Sequence, residues 1–367
     1  MRLLAFRKRL FKRIRKGGDM SDYRISTIHS WDQRALEEVK ELLGQEGLRL
    51  DKNLDYTCAI YSGDDDMAAT GSCFGNTLRC MAVNKKYQGE GLLNTLLSHL
   101  MEVQMERGHA HMFLYTKNDS AKFFGDLGFY EIVSLENRLV FMENRKNGFA
   151  AYLQHLQAGY RAGERIGALV MNANPFTLGH QYLAERAAGE NDVLHLFIVS
   201  EEASLVPFPI RKKLVMEGTA HLKNIVYHDS GSYMISSATF PSYFQREGES
   251  VIEGQALLDL TIFSRIAKVL GIQRRYVGEE PFSLVTGIYN KIMAEALPQN
   301  GISCVILSRK SLEQEVISAS AARQAIQRGD FEKLARLVPK TTLDFFQSPE
   351  AKEVIARIQA QDNVIHY

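Results

Sequence analysis

From Arg165 onward the chain alternates between two hydrophobic periods. Short, nearly continuous apolar runs predict strands over 166–173 (IGALVMNA), 193–200 (VLHLFIVS), 224–229 (NIVYHD), 274–279 (RRYVGE) and 302–308 (ISCVILS). Apolar residues at helical spacing predict helices over 180–188, 210–222, 255–271, 283–297 and 319–329. Strands apolar on both faces, alternating with amphipathic helices, imply an α/β domain with a Rossmann-like parallel sheet covered on both sides. Ligands of such sheets sit beyond the C-terminal strand ends. Before residue 145 the pattern is mixed, with strands over 55–61, 78–84 and 111–116 and a helix over 90–108 that ends at a glycine. That mixture predicts an α+β domain. The expected organisation is a basic leader (1–20), an N-terminal domain (21–145), a linker helix (146–164), the parallel-sheet domain (165–345) and a C-terminal helical tail (346–367).

At 367 residues the chain is too long for one ordinary core, in keeping with two domains. With 45% hydrophobic and 24% charged residues it has a globular composition. Runs such as VLHLFIV are strand-sized, well short of the ~18 apolar residues that a membrane span needs. The four cysteines form no C-x-x-C pair, so neither a disulfide framework nor a zinc site is expected, and a reducing cytoplasm is. The net charge of +1 hides an asymmetry, because residues 1–19 carry eight Lys/Arg and one Asp. That leader reads as an upstream extension of a chain working from Met20, as a disordered basic arm, or as an amphipathic membrane or nucleic-acid segment. It lacks the apolar core of a signal peptide. The acidic remainder would repel a phosphate backbone, so no nucleic-acid partner is expected.

Two stretches put chemistry at the predicted binding edge. After the first strand of the parallel sheet comes Asn172-Ala-Asn-Pro-Phe-Thr-Leu-Gly-His180, and after its last comes Ile317-Ser-Ala-Ser-Ala-Ala-Arg323. The unpaired N–H groups at a helix start attract phosphate. Ser318 or Ser320 can cap the second helix, and Arg323 is spaced to reach over the same end, which together would clamp a polyphosphate. Either stretch alone is a common cap. Gly179 lets backbone come close to a phosphate.

Taken together, T-x-G-H and I-S-x-S-x-x-R resemble the nucleotidyltransferase superfamily with HIGH-type motifs, with Thr177 in place of its first histidine. The resemblance implies that His180 contacts the ATP phosphates as the α-phosphorus is attacked, and that Ser318, Ser320 and Arg323 hold the β- and γ-phosphates. The longer strings MNANPFTLGHQYL, VGEEPFSLVTGIYN (277–290), SATFPSYF (237–244) and VISASAARQ (316–324) are similar to the [citrate (pro-3S)-lyase] ligase family, over nearly all of 21–345. For that family the implied reaction joins ATP and acetate into acetyl-adenylate. The acetyl group then passes to the thiol of the phosphoribosyl-dephospho-CoA group on the citrate lyase acyl carrier subunit. Attack by a carboxylate calls for donors at the strand ends, for which Asn172, Asn174, Arg211 and Lys310 are candidates. His180, Thr177 and Lys310 are the expected catalytic group, with Asn172, Asn174, Gly179 and Gly278 of the VGEEP turn expected around ATP. Arg211, Phe240 and Tyr243 are candidates for an acetate or thiol pocket. Mg²⁺ is implied by the ATP chemistry, and no metal ligands are assigned.

In the N-terminal domain, Val83-Asn-Lys-Lys-Tyr-Gln-Gly-Glu-Gly-Leu-Leu and Asn118-Asp-Ser-Ala-Lys-Phe-Phe-Gly-Asp-Leu-Gly-Phe129 resemble the GNAT acetyltransferase fold. The resemblance implies that Gln88, Gly89 and Gly91, with Lys86 in the first motif position and Asn118 further on, hold a CoA-like arm. No residue of this part stands out as a base. Two other functions stay open at this stage: an adenylyltransferase for a phosphopantetheine-like acceptor, and a CoA- or nucleotide-binding regulator without turnover.

Overall fold

A computed structural model describes residues 22–51, 53–136, 138–234, 248–279, 284–308, 311–312, 315–362 and 364. The leader, Phe240, Tyr243 and Lys310 lie outside the described residues. The chain forms two compact units, the first running to Gly148 and the second beginning at Phe149.

The first unit contains β1 (Arg24–Thr27), α1 (Gln33–Gln45), β2 (Tyr56–Tyr61), β3 (Met67–Phe74), β4 (Thr77–Val83), α2 (Leu92–Glu106), β5 (Phe113–Thr116), α3 (Asn118–Asp126), β6 (Tyr130–Leu135) and β7 (Leu139–Glu143). Its seven strands run in the order β1-β2-β3-β4-β5-β7-β6. All neighbours are antiparallel except β4 and β5. This is the expected GNAT-like α+β class. The parallel pair is joined only at Thr77–Phe113 and Leu78–Leu114, so the two strands part company beyond Leu78. Apolar residues of α2 (Leu96, Leu97, Leu100) enter one core cluster, and those of α1 (Val39, Leu42, Leu43) enter another.

The second unit contains α4 (Gly148–Ala158), β8 (Ile166–Met171), α5 (Leu178–Glu190), β9 (Val193–Ile198), α6 (Phe208–Gly218), β10 (Ile225–Asp229), α7 (Gly248–Leu270), β11 (Arg274–Gly278), α8 (Leu284–Gln299) and β12 (Ser303–Leu307). Four helices follow: α9 (Ala319–Arg328), α10 (Phe331–Leu337), α11 (Lys340–Gln347) and α12 (Lys352–Gln359). The strands form a wholly parallel sheet in the order β10-β9-β8-β11-β12. The chain builds outward from β8 in one direction and then, after β10, in the other. The order therefore reverses between β8 and β11, the place where an open α/β sheet has a crevice at its C-terminal edge. Helix α4 is tied to the second unit, with the Tyr152 hydroxyl donating to the Asp229 carbonyl at 3.1 Å. The last helices are built into the same core: Phe346, Ile358 and Val364 cluster with Leu169, Leu196 and Ile317.

A polar pair lies between the strands of this sheet. His195 on β9 and His228 on β10 are both buried, with Nδ1 of the first 2.8 Å from Nε2 of the second. Phe197 stacks on His228. A single hydrogen bond between two imidazoles needs one donor and one acceptor, which two neutral rings supply. Burial pushes His195 from 6.5 down to about 4. Burial, with the neighbouring His195 and His155 adding to it, pushes His228 down to about 3. The folded state thus takes up protons less readily than the unfolded chain. The stability conferred by the neutral pair is complete above pH 6.5 and drains away as pH falls below it. Between pH 6.5 and 5 the urea midpoint followed by loss of helical circular dichroism should fall with pH. The slope should approach about 2 kcal/mol per pH unit. Changing both histidines to Leu and Phe should flatten that slope; an unchanged slope would remove the pair from the acid response.

Candidate active site

The site grows from the end of β8. Five buried residues carry the strand into the sheet, and at Asn172 the chain leaves it at the reversal point. The turn that follows has Ala173 at φ 53° and a cis bond between Asn174 and Pro175. Its first asparagine is held on both sides. Asn172 Oδ1 accepts from Arg211 at 2.7 Å, and Nδ2 donates to Ser204 Oγ at 2.9 Å. Asn174 is 2% exposed; its Oδ1 accepts from the Val206 N–H at 3.0 Å, while its Nδ2 meets no hydrogen-bond acceptor.

Thr177 caps α5 in a reciprocal arrangement with His180. The threonine Oγ1 accepts from the His180 N–H, and the Thr177 N–H donates to His180 Nδ1 at 3.1 Å. An Nδ1 that accepts a backbone N–H has no proton, so the neutral imidazole carries its proton on Nε2. Phe176, its ring nearly parallel to the imidazole with centroids 5.8 Å apart, stacks against it. The sequence T-L-G-H therefore sets the tautomer as well as the position of His180. Thr177 was expected among the catalytic residues. Its hydroxyl is buried and lies 2.9 Å from His180 Nδ1, behind the imidazole.

The second motif lies against the first. A Cβ at Gly179 would come 3.5 Å from the Ile317 carbonyl, so the starts of α5 and α9 are neighbours. Ser318 caps α9, its Oγ accepting from the Ala321 N–H at 3.0 Å. Ser320 lies one residue into the helix, partly exposed. Gly278 closes β11 on the other side of the reversal. A Cβ there would press on Leu183 of α5 at 3.2 Å, and its carbonyl accepts from Asn290.

Both arginines are turned inward. Arg211, a candidate for the acetate or thiol pocket, is fully buried. Its guanidinium donates to the carbonyls of Val206, Asn172, Val199 and Glu201 and to Asn172 Oδ1. It fastens the end of β8 to the end of β9 and the start of α6. Burial lowers its pKa, and the carbonyl oxygens around it stabilise the charge. Arg323, expected at the phosphates, is 1% exposed and donates to the carbonyls of Val364 and Asn174 and to Ser320 Oγ. Sequence reasoning missed Glu201 and Ser204. The Glu201 carboxylate accepts from the Ala203 and Ser204 N–H groups and from the Ser204 hydroxyl, which completes the chain from Asn172. They stand just beyond the end of β9, where strand-end position alone gave a reason to look.

Relatives match most of the chain. It is 36% identical over 323 residues, 86% of this chain and 92% of the relative, to the "[Citrate [pro-3S]-lyase] ligase" of Escherichia coli (strain K12). It is 34% identical to the protein of that name from Haemophilus influenzae, over 88% of this chain and 97% of the relative. The chain belongs to the [citrate [pro-3S]-lyase] ligase family. The model of the citrate lyase ligase C-terminal domain matches residues 166–346, which include both motifs. Among solved structures, a putative acyl-CoA N-acyltransferase from Klebsiella pneumoniae is 20% identical, covering 33% of this chain and 95% of its own, with a TM-score of 0.29.

The first unit holds a second candidate site. A cavity of about 560 Å³ is lined by Met81 and Val83 of β4, Tyr115 of β5, and Gln88, Gly89 and Gly91 of the connecting loop, among others. It lies where β4 and β5 diverge. Gly89 and Gly91 have φ of 92° and 77°, and apart from their chain neighbours no atom lies within 4 Å of where a Cβ would stand, so the loop borders open space on that side. The other two expected residues are aimed elsewhere. Lys86 pairs with Asp66 at 2.7 Å, and the Asn118 amide donates to Ser134 Oγ.

Two substitutions separate chemistry from folding at the α5 start. His180→Ala should reduce nucleotide-dependent turnover by about 10²–10³, or about 2.7–4 kcal/mol, as loss of a preorganised donor does elsewhere. Gly179→Ala places its Cβ in ordinary contact, 3.5 Å from the Ile317 carbonyl, in the first turn of α5. Its melting temperature should hold or rise while the KM for nucleotide rises. A Gly179→Ala protein with wild-type KM would show that nothing approaches this backbone.

Proposed function

We propose that this chain activates acetate with ATP and transfers the acetyl group to the thiol of the CoA-like prosthetic group on the citrate lyase acyl carrier subunit. In the first step an acetate oxygen attacks the α-phosphorus of ATP. The bond from the α-phosphorus to its bridging oxygen breaks, and pyrophosphate leaves. In the second step the thiol sulfur attacks the acetyl carbon, and AMP departs with the oxygen that acetate supplied. The balance is ATP, acetate and thiol in, and AMP, pyrophosphate and thioester out, with the thiol proton released.

The observation that carries this reading is the meeting of the α5 and α9 starts at the sheet reversal, with His180 held as an Nε2–H donor. Such an arrangement suits charge that builds on phosphate oxygens during in-line displacement. Ser318, Ser320 and the first-turn amides of α9 would bear the β- and γ-phosphates, with Gly179 leaving the nucleotide room and Gly278 letting Leu183 of α5 pack against the end of β11. Of the four donors considered for acetate, Asn172 and Arg211 are occupied by protein partners, and Lys310 lies outside the described residues. Asn174 Nδ2 is buried with no acceptor, which suits a carboxylate oxygen. Among the described residues no cluster of His, Cys, Asp and Glu suits a metal. The donors at the site are amides, hydroxyls and an imidazole, which fit phosphate, so Mg²⁺ would be held on the ATP oxygens rather than in a protein cage. The cavity between β4 and β5 would take the arm of the prosthetic group, with Gln88, Gly89 and Gly91 at its diphosphate.

Exchange of labelled pyrophosphate into ATP tests the first step. With Mg²⁺ and no carrier protein, exchange should depend on acetate and fall by about 10²–10³ in His180→Ala. Acetate-independent exchange that requires a pantetheine phosphate would contradict the acceptor assigned here.

A further inference from the structure

Arg323 carries the charge of the second motif, yet its guanidinium points into the protein. Nε donates to the Val364 carbonyl at 2.6 Å, Nη1 to the Asn174 carbonyl at 2.6 Å and Nη2 to Ser320 Oγ at 3.2 Å. Two of these acceptors belong to the walls of the proposed ATP site. The Asn174 peptide leads into the Thr177–His180 cap, and Ser320 stands on the first turn of α9. The third belongs to the residues after α12, beyond the 166–346 that match the family's C-terminal domain. That tail is docked at more than one point. Gln327 donates to the Gln361 carbonyl at 2.6 Å, Ile358 is fully buried and Val364 is 2% exposed.

A buried guanidinium deprived of an acceptor bears the desolvation penalty of a charged donor. Burial lowers Arg323 to about 10, which still leaves it charged at neutral pH. Without the Val364 carbonyl the planar fork loses the acceptor that fixes its Nε end, and its bonds to Asn174 and Ser320 are no longer held in one plane from three sides. Lysine, a single point donor, cannot span acceptors placed around the fork as Val364, Asn174 and Ser320 are.

We propose that the C-terminal tail is a working part of the ATP site: through the Val364 carbonyl it locks Arg323, a positioning residue, which sets the Asn174 turn against the Ser320 turn. The proposal rests on the reading of this edge as an ATP site. It also assigns the motif arginine to holding the walls of the site rather than to holding phosphate.

The test compares the full chain, a chain ending at Ala360, Arg323→Lys, and the two changes combined. Equilibrium dialysis with Mg²⁺ and labelled ATP gives the Kd, and far-UV circular dichroism monitors folding. Each single change should weaken ATP binding at least tenfold. The combined protein should be no worse than the weaker single by more than about twofold, because the tail acts on the site only through Arg323 and has nothing to hold once that guanidinium is gone. A merely structural tail would lower the melting temperature and leave the Kd unchanged, which would overturn the proposal. So would multiplying losses in the combined protein, or tighter ATP binding by the shortened chain. Should the shortened chain not fold, Arg323→Lys in the full chain decides, and an unchanged Kd counts against the tail. If the full chain binds no ATP, the reading of the edge fails and the proposal falls with it. Binding that is normal in the full chain and in the variants sinks the tail alone.

Discussion

The reciprocal bond between Thr177 and His180 governs what this edge of the sheet can do. Helix α5 needs its first N–H groups satisfied, and the threonine side chain does that for one of them. In return the imidazole accepts the Thr177 N–H, which leaves Nε2 as the protonated nitrogen. The requirement of a helix end thereby fixes the tautomer of a candidate catalytic group. Strand order reverses between β8 and β11, the place where ligands of open α/β sheets bind, and the contact of Gly179 with Ile317 brings the second helix start beside the first.

Two buried arginines hold this arrangement from behind. Arg211 joins the ends of β8 and β9 through carbonyl oxygens, and Arg323 joins the Asn174 turn, the α9 start and the C-terminal tail. Both guanidiniums donate to carbonyls of loops that lack strand or helix hydrogen bonding. Carbonyl groups at strand ends have no ladder partner, and a guanidinium with five N–H donors satisfies several of them at once. The asparagines divide in the same way. Asn172 is consumed in the network that runs through Ser204 to Glu201, and Asn174 keeps one donor unbonded.

The parallel sheet was legible because its strands are buried on both faces and therefore read as apolar runs. Expected and observed bounds agree closely for 166–171, 193–198, 225–229, 274–278 and 303–307. In the first unit the pattern failed at β3, whose sequence MAATGSCF is almost entirely buried yet made of small and weakly apolar residues. Pattern also gave no sign of β1 or β6, and Gln33–Gln45 went unpredicted despite its amphipathic spacing. At the site, residue types and neighbourhood were legible, and side-chain direction was not. Arg211 meets Asn172 across 39 positions and Arg323 meets Val364 across 41, and no local spacing encodes such partners. Lys86 is the same case, since Asp66 on a neighbouring turn decides where its ammonium points.

The claim beneath all of this is that a carboxylate attacks the α-phosphorus beside His180. Acetate labelled with ¹⁸O in both carboxyl oxygens, turned over with ATP and the acetyl-accepting carrier, tests it most directly through the mass of the AMP formed. The account predicts one ¹⁸O in AMP for each thioester made, because the attacking oxygen stays on phosphorus when the acetyl group leaves. Unlabelled AMP, with ¹⁸O found instead in pyrophosphate or phosphate, would place the attack at another phosphorus and contradict the account.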